Sequence, residues 1–178
     1  MSEPDITEIR QCPLSPEGNL QKRAWVAVDN QGNAVSVCAV LQIDQGRMKD
    51  CALYTTPSWR KKGLAKRLFL QAQDDLAAEA PRITLEWSGI ATEGGYGVAG
   101  SLALSASDED SAKWSAELDK KFAENPHDER LQSYLKLRDD HGGRLPYNPL
   151  NQETANQAGR QALREAAEAL RLRVIDEE

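Results

Sequence analysis

The segment whose residue types and spacing point most directly to chemistry is Thr55-Thr56-Pro57-Ser58-Trp59-Arg60-Lys61-Lys62-Gly63-Leu64-Ala65. Three consecutive cations precede a glycine, and helical spacing begins at the next residue. A glycine lets the backbone approach a bulky ligand closely. The amides that open a helix have no intrahelical partner and carry the positive end of its dipole. With Arg60, Lys61 and Lys62 beside them, these groups read as a cradle for a pyrophosphate. Neither GxxxxGK[ST] nor GxGxxG occurs in the segment, so a triphosphatase or dinucleotide reading of it lacks its motif. The plainer alternative is a solvated basic turn with a loop glycine. Trp59 either covers a base or anchors the loop, and anchoring is the simpler role.

A cradle of this kind has to be held between a strand and a helix, and the flanking pattern supplies both. Residues Arg23 to Asp29 alternate, Asn30-Gln31-Gly32-Asn33 is a turn cluster, and Ala34 to Asp44 alternate again, which predicts a hairpin. Gln45-Gly46-Arg47 predicts a second turn, and Met48 to Thr56 a third strand closed by Pro57. From Gly63 the spacing becomes helical through Leu64, Leu68, Leu70 to Ala72 and Leu76, until Ala80-Pro81 stops it. Strand character resumes over Arg82 to Ser88, so the loop sits inside a βαβ unit with parallel strands. A short strand is expected at Ile6 to Gln11, with Cys12 to Lys22 as a connection.

At these residues the sequence resembles the GNAT superfamily of acyl-CoA-dependent N-acetyltransferases. Its signature joins a strand ending in V-x-P to R-x-x-G-x-G/A at a helix start. Thr55-Thr56-Pro57 stands for the first part and Arg60-Lys61-Lys62-Gly63-Leu64-Ala65 for the second. The resemblance covers about residues 23–88. It implies a mixed α/β fold with a mostly antiparallel sheet and a βαβ cofactor unit. It further implies that the loop amides hold the pyrophosphate of coenzyme A, while the preceding strand splays from the next one and accepts the pantetheine arm. The cofactor contacts carried over are Thr55 and Thr56 beside the arm, and Arg60, Lys61, Lys62, Gly63, Leu64 and Ala65 around the phosphates. The implied activity is transfer of an acetyl group from acetyl-CoA, without a metal, to an amine of a small molecule or protein.

Such transfer requires a base for the attacking ammonium and an acid for the departing thiolate. Asp50 and Glu86 are the candidate bases and Tyr96 the candidate acid, with Tyr134 and Tyr147 more distant. The alternatives are solvated carboxylates and, above all for Tyr134, a packing tyrosine. Two features depart from the family. Its members place one or two helices between the first two strands, where this chain has only residues 12–22. After Ser88 the usual helix with a catalytic tyrosine and the final hairpin are not recognisable. A second reading is therefore a GNAT-shaped module without catalysis, acting through protein binding by its acidic helical half.

That half is rich in Ala, Leu, Glu, Gln, Lys and Arg. Helices are expected over Ser111 to Asn125, Asp128 to Asp140 and Gln152 to Val174, with an extended strap at Leu145 to Leu150. The expected division is a GNAT-like core over residues 1–100 and a helical extension over 101–178 packed on it. The long last helix closes its own domain or pairs with a second subunit or a protein partner.

Composition bounds the rest. A chain of 178 residues with net charge −6 and mean hydropathy −0.62 is a folded, well-solvated protein whose overall field opposes nucleic acid and anionic membranes. Cys12, Cys38 and Cys51 form no CxxC pair, and His127 and His141 have no metal spacing. Cys51, with no nearby histidine to activate it, reads as a small buried strand residue. Met1-Ser2-Glu3-Pro4-Asp5 lacks an apolar leader and no 18-residue apolar run occurs, so a cytoplasmic protein is expected.

Overall fold

A computed structural model describes residues 6–87 and 106–175. Its chain divides into two compact units, residues 1–88 with 156–178, and residues 89–155.

In the first unit four strands form, the two central ones rich in Val and Ala, whose β-branched valines pack well on a pleated surface. They are β1 (Ile6–Glu17), β2 (Leu20–Asp29), β3 (Asn33–Asp44) and β4 (Arg47–Thr55). Each pairs antiparallel with the next. Helix α1 (Leu64–Ala77) then crosses over to β5 (Thr84–Glu86), which pairs parallel with β4, giving the order β1-β2-β3-β4-β5. The mostly antiparallel sheet with a parallel βαβ pair is the fold expected from the sequence.

Both faces of the sheet are covered. Helix α1 buries Leu64, Leu68, Phe69, Ala72 and Leu76. Its Asp75 ties it to the sheet by accepting hydrogen bonds from Trp25 Nε1 at 2.8 Å and Gln11 Nε2 at 3.1 Å. On the opposite face the last helix packs Ala162, Leu163, Ala166 and Ala167 against Ala24, Val26, Val37, Ala39 and Tyr54. β3 therefore lies between two layers, and all eight residues from Asn33 to Val40 are buried.

Three sequence expectations are corrected here. The first strand does not end at Gln11 but runs to Glu17 and turns back through Gly18, which has φ 59°. Pro13 and Pro16 are tolerated because β1 is an edge strand, and a proline lacking an N–H on the outer side costs no ladder bond. The last helix, Gln152–Leu170, stops four residues before Val174. Arg171 adopts φ 57°, Leu172 N bonds Ala167 O and Arg171 N bonds Glu168 O, which is a Schellman cap with arginine where glycine is usual. The chain then forms β6 (Arg173–Val174), parallel to β3 at Asn33 and Ala34. The boundary expected at residue 100 also differs from the observed division, since residues 156–178 belong to the sheet unit.

The second unit contains α2 (Asp108–Glu124) and α3 (Glu129–Asp140), N-capped by Ser107 and Asp128. Leu118, Leu131 and Leu145 form its buried centre, with Trp114, Phe122, Tyr134 and Leu135 around them. Leu145 lies in the strap, whose N–H donates to Ser111 Oγ at 2.9 Å. Residues 152–170 are numbered α4 below.

Two outcomes follow from this packing. A Cβ at Gly159 of α4 falls 2.6 Å from Tyr54 Cβ, so the helix backbone rests directly on the β4 side chain. Gly159→Ala normally gains about 1 kcal/mol of helix propensity. Here overpacking of about 1–3 kcal/mol should dominate, and urea unfolding is expected to show a net loss of stability. The second outcome concerns the β2–β3 turn, where the buried Asp29 carboxylate accepts from Gln31 N, Asn33 N and Asn33 Nδ2, each at 2.9 Å. Burial alone raises its pKa, but the bonds from Asn33 and Gln31 and the charge of Arg173 bring it below the ordinary carboxylate value. A depressed folded pKa gives stability that is complete above the unfolded value of about 3.9 and lost as pH falls through the folded one. Asp29→Asn should accordingly flatten the acid limb of a stability–pH profile.

Candidate functional site

β4 ends where its ladder runs out. Thr56 N donates to Val35 O at 2.9 Å, and Thr56 O accepts Trp59 N at 3.0 Å across a single 3-10 turn, Pro57–Trp59. Both main-chain groups of Thr56 thus shape the loop from within. Its side chain is 1% exposed, and Thr56 and Tyr54 line a cavity of about 10 Å³ against α4, room for one water. The Thr56 hydroxyl has no hydrogen-bond partner among the described residues. Thr55 Oγ1 lies 2.7 Å from Ser36 Oγ.

The cradle itself is built by backbone conformation. Lys61 has φ 63° and Gly63 has φ 78°, two left-handed residues flanking Lys62. For lysine that conformation costs about 1–2 kcal/mol, a strain that persists only where neighbours impose it. Gly63 is the N-cap of α1, no side chain caps the helix, and its first turn holds no acidic residue. A Cβ at Gly63 meets nothing within 4 Å, so this side of the turn is open. Arg60, Lys61 and Lys62 are exposed. The arrangement is an uncapped, positively polarised helix start ringed by cations, which is the electrostatic complement of a phosphate group.

Two aromatic contacts fasten this loop. Lys62 Nζ sits 5.0 Å from the Trp59 ring centroid, and Trp59 is half-buried, consistent with the anchor role. Arg60 lies over the Tyr54 ring at 5.4 Å and donates through Nε to Thr55 O at 2.9 Å. Tyr54 was not legible as part of the site, because its role depends on a side chain six residues away folding back over the strand.

The candidate acids and bases part company in the structure. Glu86 accepts both Nε and Nη2 of Arg47 at 3.0 Å, so its two oxygens are held in a surface ion pair. Asp50 is 6% exposed, which corrects the solvated reading. It sits opposite Val40, and its charge, after burial, helps raise the Cys38 thiol well above its ordinary pKa. A bulge explains the register: Ala39 faces Ala52 and Val40 faces Asp50, leaving Cys51 as the extra residue. Cys51 is consequently exposed rather than buried, and its thiol is pushed up to about 11, chiefly by desolvation from its surroundings, so it is a poor nucleophile at neutral pH. Tyr96 lies outside the described residues. Tyr134 packs in the second unit and Tyr147 is buried.

The described β4–β5 pairing covers Arg47 to Lys49 with Thr84 to Glu86, at the end of β4 remote from the cradle. A depression of about 490 Å³ lies at the β1–β2 hairpin, and Lys22 and Arg23 on its rim are bonded to Glu17 and Glu79. It includes no residue of the loop. Among the described residues no His, Cys, Asp and Glu group has the geometry to hold a metal, and no helix is long and apolar enough to cross a membrane.

If the open turn receives phosphate, side-chain bulk at its cap must interfere. Gly63→Val is expected to weaken coenzyme A binding at least tenfold by calorimetry. The fold should lose only about 1–2 kcal/mol from the left-handed strain, and unaltered affinity counts against the loop as the site.

Comparison with known proteins agrees with this geometry. Residues 2–92, just over half of the chain and including β1 to β5 and the loop, match the Acetyltransferase (GNAT) family. No curated protein and no solved structure matches the chain significantly. Strand order, the crossover at α1 and the basic loop before Gly63 thus lead to one conclusion: the chain belongs to the GNAT family.

Proposed function

We propose that this protein is an acetyl-CoA-dependent N-acetyltransferase that acetylates an amine of a small molecule or protein. The observation that carries the reading is the uncapped start of α1, with Gly63 at positive φ and three exposed cations before it, in a protein of net charge −6. A local basic site on an acidic surface selects a ligand with concentrated negative charge, as the pyrophosphate of coenzyme A has. Main-chain amides of Lys61 to Ala65 would receive it. Thr55, at the end of β4, would border the pantetheine arm, while Thr56 shapes the turn through its bonds to Val35 and Trp59.

Of the two candidate bases, Asp50 is buried on the strand that leads to the cradle and is the favoured one, and Glu86, a partly exposed partner of Arg47, is the weaker. In the reaction the base takes a proton from the ammonium, and the freed amine attacks the thioester carbonyl. The C–S bond then breaks, the thiolate takes a proton, assigned here to Tyr96, and the attacking nitrogen loses its second proton to water as the amide forms. The net change is an amide and a free thiol. The partners implied are the acceptor amine and, through the C-terminal helices, a second copy or another protein. A cytoplasmic location accords with a thioester co-substrate made inside cells.

Thermal shift with acetyl-CoA, followed by thiol release in the presence of polyamines and lysine peptides, tests this. Melting temperature should climb with ligand concentration, and Asp50→Asn should cut turnover by about 10²-fold or more while leaving the acetyl-CoA dissociation constant unchanged. Absence of any shift at millimolar acetyl-CoA overturns the reading.

A further inference from the structure

We infer that Tyr54 and Arg60 form a strut that holds the phosphate cradle in shape, with helix α4 as its base. The inference rests on reading residues 60–65 as the cofactor cradle and assigns the Arg60 side chain a positioning role within it.

The strut begins at Gly159. Because α4 carries no side chain there, its backbone sits on Tyr54, where a Cβ would come within 2.6 Å of Tyr54 Cβ. Tyr54 is 5% exposed and packed among Ala162, Leu163 and Ala166, so its ring is a fixed platform. The Arg60 guanidinium lies over that platform at 5.4 Å, and its Nε is bonded to Thr55 O at 2.9 Å. Two neighbouring β4 residues therefore grip one side chain from two directions. A planar guanidinium can stack and donate in this way at once, which an ammonium cannot reproduce.

What the grip secures is the residue that follows. Lys61 is held at φ 63°, and this unfavourable geometry aligns the next amides toward the head of α1. Downstream the loop is pinned by the buried Leu64 and Leu68 of α1, and upstream by Arg60 on Tyr54. Helix α4, about a hundred residues away in sequence, thereby helps to set the cradle's conformation.

The experiment uses full-length Arg60→Lys, Tyr54→Leu, Tyr54→Phe and the Tyr54→Leu/Arg60→Lys double variant. A ligand-free readout is the rate of limited trypsin cleavage after Lys61 and Lys62, followed by mass spectrometry. Arg60→Lys and Tyr54→Leu should each speed it about tenfold, as loss of a cation–π contact and a charge-assisted hydrogen bond implies, with Tyr54→Phe like wild type. Calorimetry with acetyl-CoA should show each of those two variants binding about tenfold more weakly, and the double variant no more weakly than either. Wild-type protection and affinity in Arg60→Lys, or effects that multiply in the double variant, overturn the strut. If Tyr54→Leu unfolds by circular dichroism, the exposed Arg60→Lys decides alone. Failure of the wild type to bind acetyl-CoA removes the proposed function, while the trypsin rates still judge the strut.

Discussion

The constraint on which the fold depends is that β3 is paired along both edges and covered on both faces. Its residues Asn33 to Val40 lie between β2 on one edge and β4 with β6 on the other, under α1 and α4. A strand in that position has no solvent-facing side, so it must be built from small and β-branched residues, with its polar groups satisfied internally. Ser36 meets this demand by donating to Tyr54 O, and Asn33 by bonding Asp29. β2 already occupies one edge of Ala34. The short β6 therefore takes the other edge, in line with β4 beyond its end, and returns the chain after α4 to the sheet.

From this frame the cradle follows as an end effect. β4 can pair with β3 only as far as Thr55 and Ser36, after which Thr56 makes one last bond to Val35 and Pro57 turns the chain away. The loop then has six residues in which to reach the first turn of α1, which is itself fixed by its buried leucines. Two left-handed residues, Lys61 and Gly63, accomplish the change of direction. The amides left at the head of α1 are thus a product of the crossover geometry, and the basic side chains around them add the local positive charge on which the proposed phosphate contact rests.

Electrostatics separates the two strand carboxylates that the sequence treats as equals. Glu86 lies at the sheet margin where Arg47 reaches both of its oxygens. Asp50 is turned inward by the bulge at Cys51, which shifts the alternation by one residue and sends the thiol outward in its place. The proposed chemistry therefore follows from a single extra residue in β4, because a one-residue slip exchanges the faces of every side chain beyond it.

Sequence alone determined the order of elements, the crossover at α1 and the basic loop, since these rest on local periodicity, on turn residues and on a motif confined to eleven consecutive positions. It also determined the family, through the continuous stretch of residues 2–92 that contains those elements. Tertiary structure alone decided that β1 extends through two prolines, that the last helix stops at Leu170 to permit β6, that Asp50 is buried, and that Tyr54 carries Arg60. Each of these depends on a neighbour distant in sequence or on which edge or face a residue meets. A pattern of one strand or helix records its period but not the partner that covers it, and so it cannot fix burial, register shifts or contacts across elements.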